Sequence, residues 1–145
     1  MELVVKHFKE LTTEELFEIY KLRSEVFIIE QNCACPDVDD ADKVAYHVYF
    51  KDENGIQAYL RVLPQGIKFD EASIGRVIAV KRRCGFGTRI LKEGIRIAKE
   101  KFNAGSICIE AQVYARGLYE KVGFVQISDE FLEDGIPHIK MLLKL

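Results

Sequence analysis

The segment at residues 81–88 combines glycines with cationic side chains in a way that suits the binding of an anion. Residues 73–80 before it are apolar and β-branched except for Arg76, which predicts a strand. Apolar residues at 90–102 repeat at three and four positions and predict an amphipathic helix. Because the first amides of a helix have no internal partner, we expect an anion site on the amides of residues 83–88.

The residue types in this segment suit a phosphate. Gly85 and Gly87 let the backbone approach a bulky diphosphate, and four cationic side chains add positive charge around it: Lys81, Arg82, Arg83 and Arg89. Two known phosphate motifs do not fit. A dinucleotide fingerprint would need a third glycine where Ile90 stands, and a P-loop would need Gly-Lys followed by Ser or Thr. The pattern alone leaves open a glycine turn with solvated cations.

Length and composition favour an ordinary soluble protein. At 145 residues the chain is long enough for one domain, residues 1–145, and too short to suggest two. With 21 basic and 23 acidic residues, the net charge of -2 argues against a dedicated nucleic-acid-binding protein. No apolar run approaches the roughly 20 residues of a membrane span, and the N-terminus lacks the apolar core of a secretory signal. We therefore expect a cytoplasmic protein without a membrane partner, with its cysteines reduced.

The remaining patterns predict a mixed α/β fold. Thr12 and Glu15 stand at capping-box spacing and begin a first helix, whose apolar face extends to Phe27. Asn54 and Gly55 mark the turn of a hairpin. The other predicted elements are strands at 2–8, 107–113, 124–127 and 138–143, a short helix at 116–122, and loops at 31–43, 66–70 and 129–137.

Two motifs resemble those of the GNAT superfamily of N-acetyltransferases. The acyl-CoA signature Arg/Gln-x-x-Gly-x-Gly/Ala is matched by Arg82, Gly85 and Gly87. Residues 115–124, a short tyrosine-bearing helix that ends in Gly-Phe, resemble the second signature. The order of the elements also agrees with the superfamily along almost the whole chain. Two further segments are similar to its small bacterial ElaA-like branch: residues 26–33 and 133–138.

The resemblance implies a GNAT-like acyltransferase fold, in which helices flank a central, mostly antiparallel sheet with a splayed parallel pair of strands. It implies that the pantetheine arm of acetyl-CoA, the cosubstrate, lies in the gap of that pair on backbone amides near Ile78 and Val80. A backbone amide there would also hold the thioester oxygen. The CoA-binding residues that it implies are Ile78, Ala79, Val80, Arg82, Arg83, Cys84, Gly85, Phe86, Gly87, Thr88 and Tyr119.

The implied reaction is direct transfer of an acetyl group to a primary amine of a small molecule or a peptide. Tyr119 stands at the superfamily's general-acid position, where a phenol can protonate the departing thiolate, although a core tyrosine is the alternative. The strand before the phosphate turn offers no carboxylate to serve as a base. We therefore expect Glu30 and His138 to serve instead, either as the base or as groups that bind the amine. Two weaker candidates remain open: Glu110 and His47.

Two other functions also remain open. One is a regulatory module that binds CoA without turnover, and the other is a generic nucleotide-phosphate binder. Members of the superfamily often dimerise, so a homodimer is compatible with the resemblance.

The acidic and cysteine-bearing loop at 31–43 does not predict a metal site. No glycine turn follows Asp42, and Val48 stands where a calcium loop needs a bidentate glutamate. We expect a solvated acidic loop that attracts a cationic acceptor, formed by Asp37, Asp39, Asp40 and Asp42. Cys33 and Cys35 lack the second ligand pair of a structural zinc site, so no metal is expected.

Overall fold

Antiparallel pairing builds a first sheet from the first half of the chain. The computed structural model describes residues 1–81 and 83–145. The sheet has the order β1-β2-β3-β4, with β1 at Glu2–His7, β2 at Tyr46–Asp52, β3 at Gly55–Leu63 and β4 at Ser73–Ala79. Between β1 and β2 lies α1 (Thr13–Ser24), which widens into a π-helical turn over Glu25–Glu30. A 3-10 turn over Asp40–Val44 leads into β2.

A second sheet forms from the later strands. After β4 the chain continues through α2 (Phe86–Phe102), β5 (Ser106–Gln112) and α3 (Arg116–Lys121). The last strand, β8 (Ile136–Lys144), pairs antiparallel with three others: β5, β6 (Val125–Gln126) and β7 (Phe131–Glu133). The long β8 therefore organises this half of the molecule.

The two sheets meet where β4 and β5 begin. A parallel bridge pairs Ala72 with Ile107, and the amide of Cys108 donates to the carbonyl of Ala72 at 2.9 Å. Among residues 1–81 and 83–145 no ladder continues between β4 and β5 beyond this bridge. The two strands therefore separate along their length, which confirms the predicted splayed parallel pair in a mostly antiparallel arrangement.

Helices cover both faces of the first sheet. α2 packs closely over β3 and β4, because a Cβ atom at Gly94 would lie 2.9 Å from Leu60 Cδ2 and 3.1 Å from Ile74 Cδ1. Side chains alternate between the faces of a strand, so Tyr59 points to the opposite face from Leu60. There it packs with Ile19 of α1. The sheet thus lies between α1 and α2.

The largest differences from the predicted boundaries lie at three places. α2 begins at Phe86, ahead of the first apolar repeat. The predicted strand at 124–127 is reduced to β6, because Phe124 turns into the core. The predicted loop at 129–137 contains β7 and a two-residue hairpin turn, in which Asp134 and Gly135 have φ of 52° and 77°. None of the described helices combines the length and the apolar character needed to cross a bilayer.

Candidate functional site

The N-terminus of α2 is open to a ligand. Its N-cap is Gly85, whose φ of 75° lies in the left-handed region that glycine adopts without strain. Arg89 N–H donates to Gly85 O at 3.1 Å, and the three amides before it, at residues 86–88, have no acceptor within the helix. No side chain caps this end, and no acidic residue lies in its first turn. These amides are therefore available to an anion, and binding there stays a prediction.

Cationic side chains surround this helix end. Lys81 and Arg83 are exposed, as is Cys84 between Arg83 and the cap. The guanidinium of Arg89 lies over the ring of Phe50 at 4.9 Å, so its position is fixed by an aromatic contact. Arg82, which the acyl-CoA signature includes, lies outside the described residues. The described part of the turn is positively charged and accessible.

Gly87 allows α3 to pack against the start of α2. A Cβ atom at this position would lie 3.3 Å from both terminal methyl groups of Leu118. Such a contact is tighter than most in proteins, so Leu118 would have to shift to accommodate a side chain here. Leu118, which precedes Tyr119 in α3, therefore packs directly on the start of α2.

Tyr119 is half-buried against the core, with its ring edge-on to Phe124 at 5.9 Å. Burial raises the pKa of its phenol well above the usual 10, and the neighbouring Tyr114 raises it further. The hydroxyl has no hydrogen-bond partner among the described residues. A phenol that stays protonated throughout the neutral range suits proton donation, whereas it would be a poor base.

The backbone of β4 offers one free edge to the gap beside β5. Val80 N–H donates to Gln57 O at 2.9 Å, so this amide is already used within the first sheet. The backbone groups of successive residues in a strand point to opposite sides. The backbone groups of Ile78 therefore also face β3, and those of Ala79 face β5. The Val80 amide is therefore not free to bind the pantetheine arm, and the expected pairing near Ile78 and Val80 stays a prediction. Ala79 carries the backbone groups that face the gap.

Titratable side chains gather on the face of β5 that points away from α2. Glu110 lies 3.6 Å from the ammonium of Lys68. Glu133 on β7 interacts with Glu110, and burial together with this second carboxyl group raises the pKa of Glu133. His138 on β8 places its Nε2 3.7 Å from a carboxylate oxygen of Glu133. We call this set of four residues the carboxyl cluster.

Contacts within the second sheet fix the orientation of His138. Its Nδ1 lies 2.7 Å from the carbonyl oxygen of Ile136, which can only accept, so Nδ1 carries the proton in this bond. In the neutral ring Nε2 then holds the lone pair and faces Glu133. The ring also stacks on Phe131, with centroids 6.1 Å apart. His138 is thus prepared to accept a proton at Nε2.

Glu30 is not joined to this cluster. It ends the π-helical turn after α1 and is exposed, and its carboxylate makes no hydrogen bond or ion pair with the residues that the structure describes. The sequence favoured Glu30 among the carboxylates because it follows the first helix and because its neighbours resemble those of the ElaA-like branch. Lys68 and Glu133 were missed, because no pattern along the chain shows that residues so far apart meet on one face.

The prediction that the acidic loop is solvated is wrong. Asp37 and Asp42 are buried, and Arg23 donates to both, at 3.0 Å from Nε to Asp37 Oδ2 and 2.7 Å from Nη1 to Asp42 Oδ1. Arg61 binds Asp39 at 2.6 Å and Asp42 at 2.9 Å. These aspartates hold the loop in place and leave little free charge to attract an acceptor. Asp40, which is exposed, is the exception.

His47 also has a structural role. It is buried, with Nε2 3.0 Å from the carbonyl oxygen of Asp42 and Nδ1 2.7 Å from the hydroxyl of Tyr59. Nε2 therefore donates to the carbonyl, and Nδ1 accepts from the phenol. Burial lowers the pKa of this imidazole, so the ring is neutral. Both nitrogens are used, which removes His47 from the candidates for the base.

The structure also corrects the expected state of two cysteines, because it joins Cys33 and Cys35 in a disulfide. Cys84 and Cys108 are free thiols, the first exposed and the second buried. The sequence indicated reduced thiols throughout, since a bridge over one intervening residue is uncommon.

Comparisons with known proteins agree with this architecture. A family model for an acetyltransferase (GNAT) domain matches residues 41–145. A UPF0039 protein of Schizosaccharomyces pombe is 38% identical over 149 residues, covering 100% of this chain and 98% of the relative. The crystal structure of an acyl-CoA N-acyltransferase from Pseudomonas aeruginosa has a TM-score of 0.91 at 30% identity and covers 99% of both chains.

Escherichia coli ElaA is similar to this chain over the same length. Its crystal structure has a TM-score of 0.91 at 27% identity and covers 99% of this chain and 100% of that one. The fold and the resemblance to the ElaA-like branch are thereby confirmed, over nearly the full length of the chain. The chain belongs to the GNAT acetyltransferase family.

Proposed function

We propose that this protein transfers an acetyl group from acetyl-CoA to a primary amine by direct attack of the amine on the thioester. The observation that carries the proposal is the uncapped N-terminus of α2, where the amides of residues 86–88 meet exposed cationic side chains. A diphosphate matches this site in charge and in hydrogen-bonding capacity. The family adds the chemistry, since its members act on acyl-CoA.

The cosubstrate lies along the gap between β4 and β5. The diphosphate binds the segment of Arg83, Cys84, Gly85, Phe86, Gly87 and Thr88, with Arg82 of the signature contributing charge. The pantetheine arm then follows the free edge of β4 past Ile78, Ala79 and Val80. The amide of Ala79 faces the gap and is our candidate to bind the thioester oxygen as negative charge develops on it.

Tyr119 donates a proton to the departing thiolate. Attack by the amine forms the new C–N bond, and collapse of the tetrahedral intermediate breaks the C–S bond and leaves the CoA sulfur negative. The phenol of Tyr119 keeps its proton at neutral pH and follows Leu118, which packs on the start of α2. Protonation of the sulfur there prevents the reverse attack.

The carboxyl cluster receives the amine and its proton. An amine arrives mainly as an ammonium ion, which the carboxylates of Glu110 and Glu133 attract, and it must lose a proton before it can attack. Nε2 of His138 is oriented to take that proton, directly or through water. In this role His138 is favoured over Glu30, because Glu30 lacks contacts that would fix its side chain.

The test of the function is acetyl-CoA consumption over a panel of primary amines. We expect turnover with amines that carry a further positive charge, because the cluster is acidic. Binding of acetyl-CoA without turnover on any amine would favour a CoA-binding regulatory module instead. Competition by ADP as strong as that by CoA would favour a generic nucleotide-phosphate binder.

A comparison of two variants tests the base. His138→Gln should lower kcat by roughly a hundredfold and remove the acidic limb of the pH–rate profile, since the general base is lost. Glu30→Gln, as the matched carboxylate outside the cluster, should leave the profile unchanged. An intact acidic limb in His138→Gln would exclude this histidine as the base.

A further inference from the structure

Two sulfur atoms and a carboxylate from distant parts of the sequence meet next to Glu133 of the carboxyl cluster. The Sγ atoms of Cys33 and Cys35 and a carboxylate oxygen of Asp134 all lie within 4.8 Å of one another. The cysteines are half-buried and Asp134 is exposed, so the group is accessible from solvent. None of the three belongs to the carboxyl cluster or to the acetyl-CoA site.

The cysteine segment is held at both of its ends. The amide of Cys33 donates to the carbonyl of Ile28 in the π-helical turn, at 3.0 Å. At the other end Asp37 is buried and receives Nε of Arg23 at 3.0 Å and Nε of Arg76 at 2.8 Å. A segment fixed in this way keeps its two sulfur atoms close even when they are not bonded, which lowers the entropic cost of binding a ligand.

Asp134 is also positioned by its backbone. It begins the two-residue turn between β7 and β8, where Glu133 pairs with Ile136. The left-handed φ of 52° at Asp134 belongs to this turn. Its carboxylate therefore meets the sulfur atoms from a hairpin, an element independent of the cysteine segment.

We propose that, in the reduced protein, Cys33, Cys35 and Asp134 form a binding site for a thiophilic divalent cation of the Zn2+ type. Two thiolates and one carboxylate supply three of the four ligands of a tetrahedral site, and water supplies the fourth. Soft sulfur ligands select Zn2+ over the hard cations Mg2+ and Ca2+. The sequence concealed the site, because Cys33 and Cys35 have no second ligand pair nearby along the chain.

The site exists only after reduction of the disulfide. A dithiol reductant supplies two electrons and two protons: the bond between the two Sγ atoms breaks, both become thiols, and the reductant closes its own disulfide. The cation then displaces the two thiol protons to solvent and bonds to both sulfur atoms. Because disulfide and cation use the same sulfurs, the two states exclude each other. The bound cation joins the segment after α1 to the hairpin that carries Glu133.

The experiment uses Co2+ as a spectroscopic probe in place of Zn2+. Reduced protein should bind one equivalent and develop sulfur-to-cobalt absorption, which Zn2+ then displaces. Oxidised protein should show none. Cys35→Ser should abolish the absorption, and Asp134→Asn should weaken binding by at least about tenfold, since even indirect ligand contacts are worth that much. Asp129→Asn, as a matched carboxylate outside the site, should bind Co2+ like the unmodified chain.

A second measurement needs no variant at all. Zn2+ should slow the alkylation of Cys33 and Cys35 in the reduced protein and leave that of Cys84 unchanged, as read by mass spectrometry. Absence of sulfur-to-cobalt absorption in the reduced protein, or equal absorption in Cys35→Ser, would overturn the proposal, as would equal alkylation with and without Zn2+. None of these measurements involves acetyl transfer, so their outcome is independent of the proposed function.

Discussion

The two main helices of this protein begin in opposite ways. The N-terminus of α1 is closed: Thr12 accepts from the amide of Glu15 at 3.1 Å, and Glu15 accepts from the amide of Thr12 at 2.9 Å. Glu15 also receives the ammonium of Lys6 at 2.9 Å. The N-terminus of α2 has a glycine cap, no capping side chain and no acid. One helix end is capped by side chains, and the other leaves its first amides available to a ligand.

The capped end of α1 contributes to stability, whereas the uncapped end of α2 gives up that contribution. A cap on a helix contributes about 1 kcal/mol, which α2 forgoes at its N-terminus. The packing of α2 over the first sheet makes this loss tolerable, because most of the stability of a protein helix comes from its buried face. The start of α2 is therefore distinguished by the absence of a capping side chain, although the rest of the helix is well formed.

The largest effect on acetyl-CoA binding is expected when the start of α2 receives an acidic residue like the one in α1. Thr88 occupies the third helical position, as Glu15 does in α1. Thr88→Glu should raise the Kd for acetyl-CoA by about a hundredfold or more, because it places a negative charge against the diphosphate. The neutral Thr88→Gln is the control, and calorimetry measures both. If the two variants bound equally, charge at this helix end would not govern binding.

Tyr119→Phe distinguishes the binding of acetyl-CoA from the chemical step. It should lower turnover by roughly a hundredfold, because the proton donor is lost, while the Kd for acetyl-CoA stays unchanged. Tyr46→Phe is a matched control, since Tyr46 is also partly buried and lies beside Phe102, at the other end of α2. Steady-state kinetics with calorimetry distinguish the two effects. An unchanged kcat would remove Tyr119 from the mechanism.

Thr12→Ala tests the closed helix end. It should lower the free energy of unfolding by about 1 kcal/mol, because an amide of α1 loses its acceptor. The affinity for acetyl-CoA should not change. Denaturant unfolding and calorimetry give the two values, and a loss of affinity would show that the two helix ends are coupled.

The last effect is confined to acidic pH. Burial opposes ionisation of Glu15, but hydrogen bonds from the Thr12 amide, Lys6 and Tyr49 prevail and lower the pKa to about 2 from 4.5. A depressed carboxyl pKa stabilises the fold above the unfolded value and is lost as pH falls from 4.5 toward 2. Glu15→Gln should flatten the stability profile in that window. An identical slope in the two proteins would contradict this assignment.

The helix end that we propose as the anion site could be located from the sequence because its signals are local. A β-branched run, two glycines, four cations and a periodic helix all lie within residues 73–102. The splayed strands followed from the family resemblance. Tyr119 was found in the same way, although the rise in its pKa needed the structure.

The carboxyl cluster could not be predicted, because its residues come from separate loops and strands. Glu110, Glu133 and His138 meet only through the pairing of β8 with both β5 and β7. The buried aspartates were misread for a related reason. An acidic loop is usually solvated, and the sequence does not show that Arg23 and Arg61 are buried to meet it.

The measurement that tests the central claim most directly is the amide spectrum of the nitrogen-15-labelled protein during titration with acetyl-CoA. The amides of Phe86, Gly87 and Thr88 should show the largest shifts, because they donate to the diphosphate, while those of Glu14 and Glu15 in α1 stay in place. Saturable binding that leaves the three α2 amides unshifted would contradict the account.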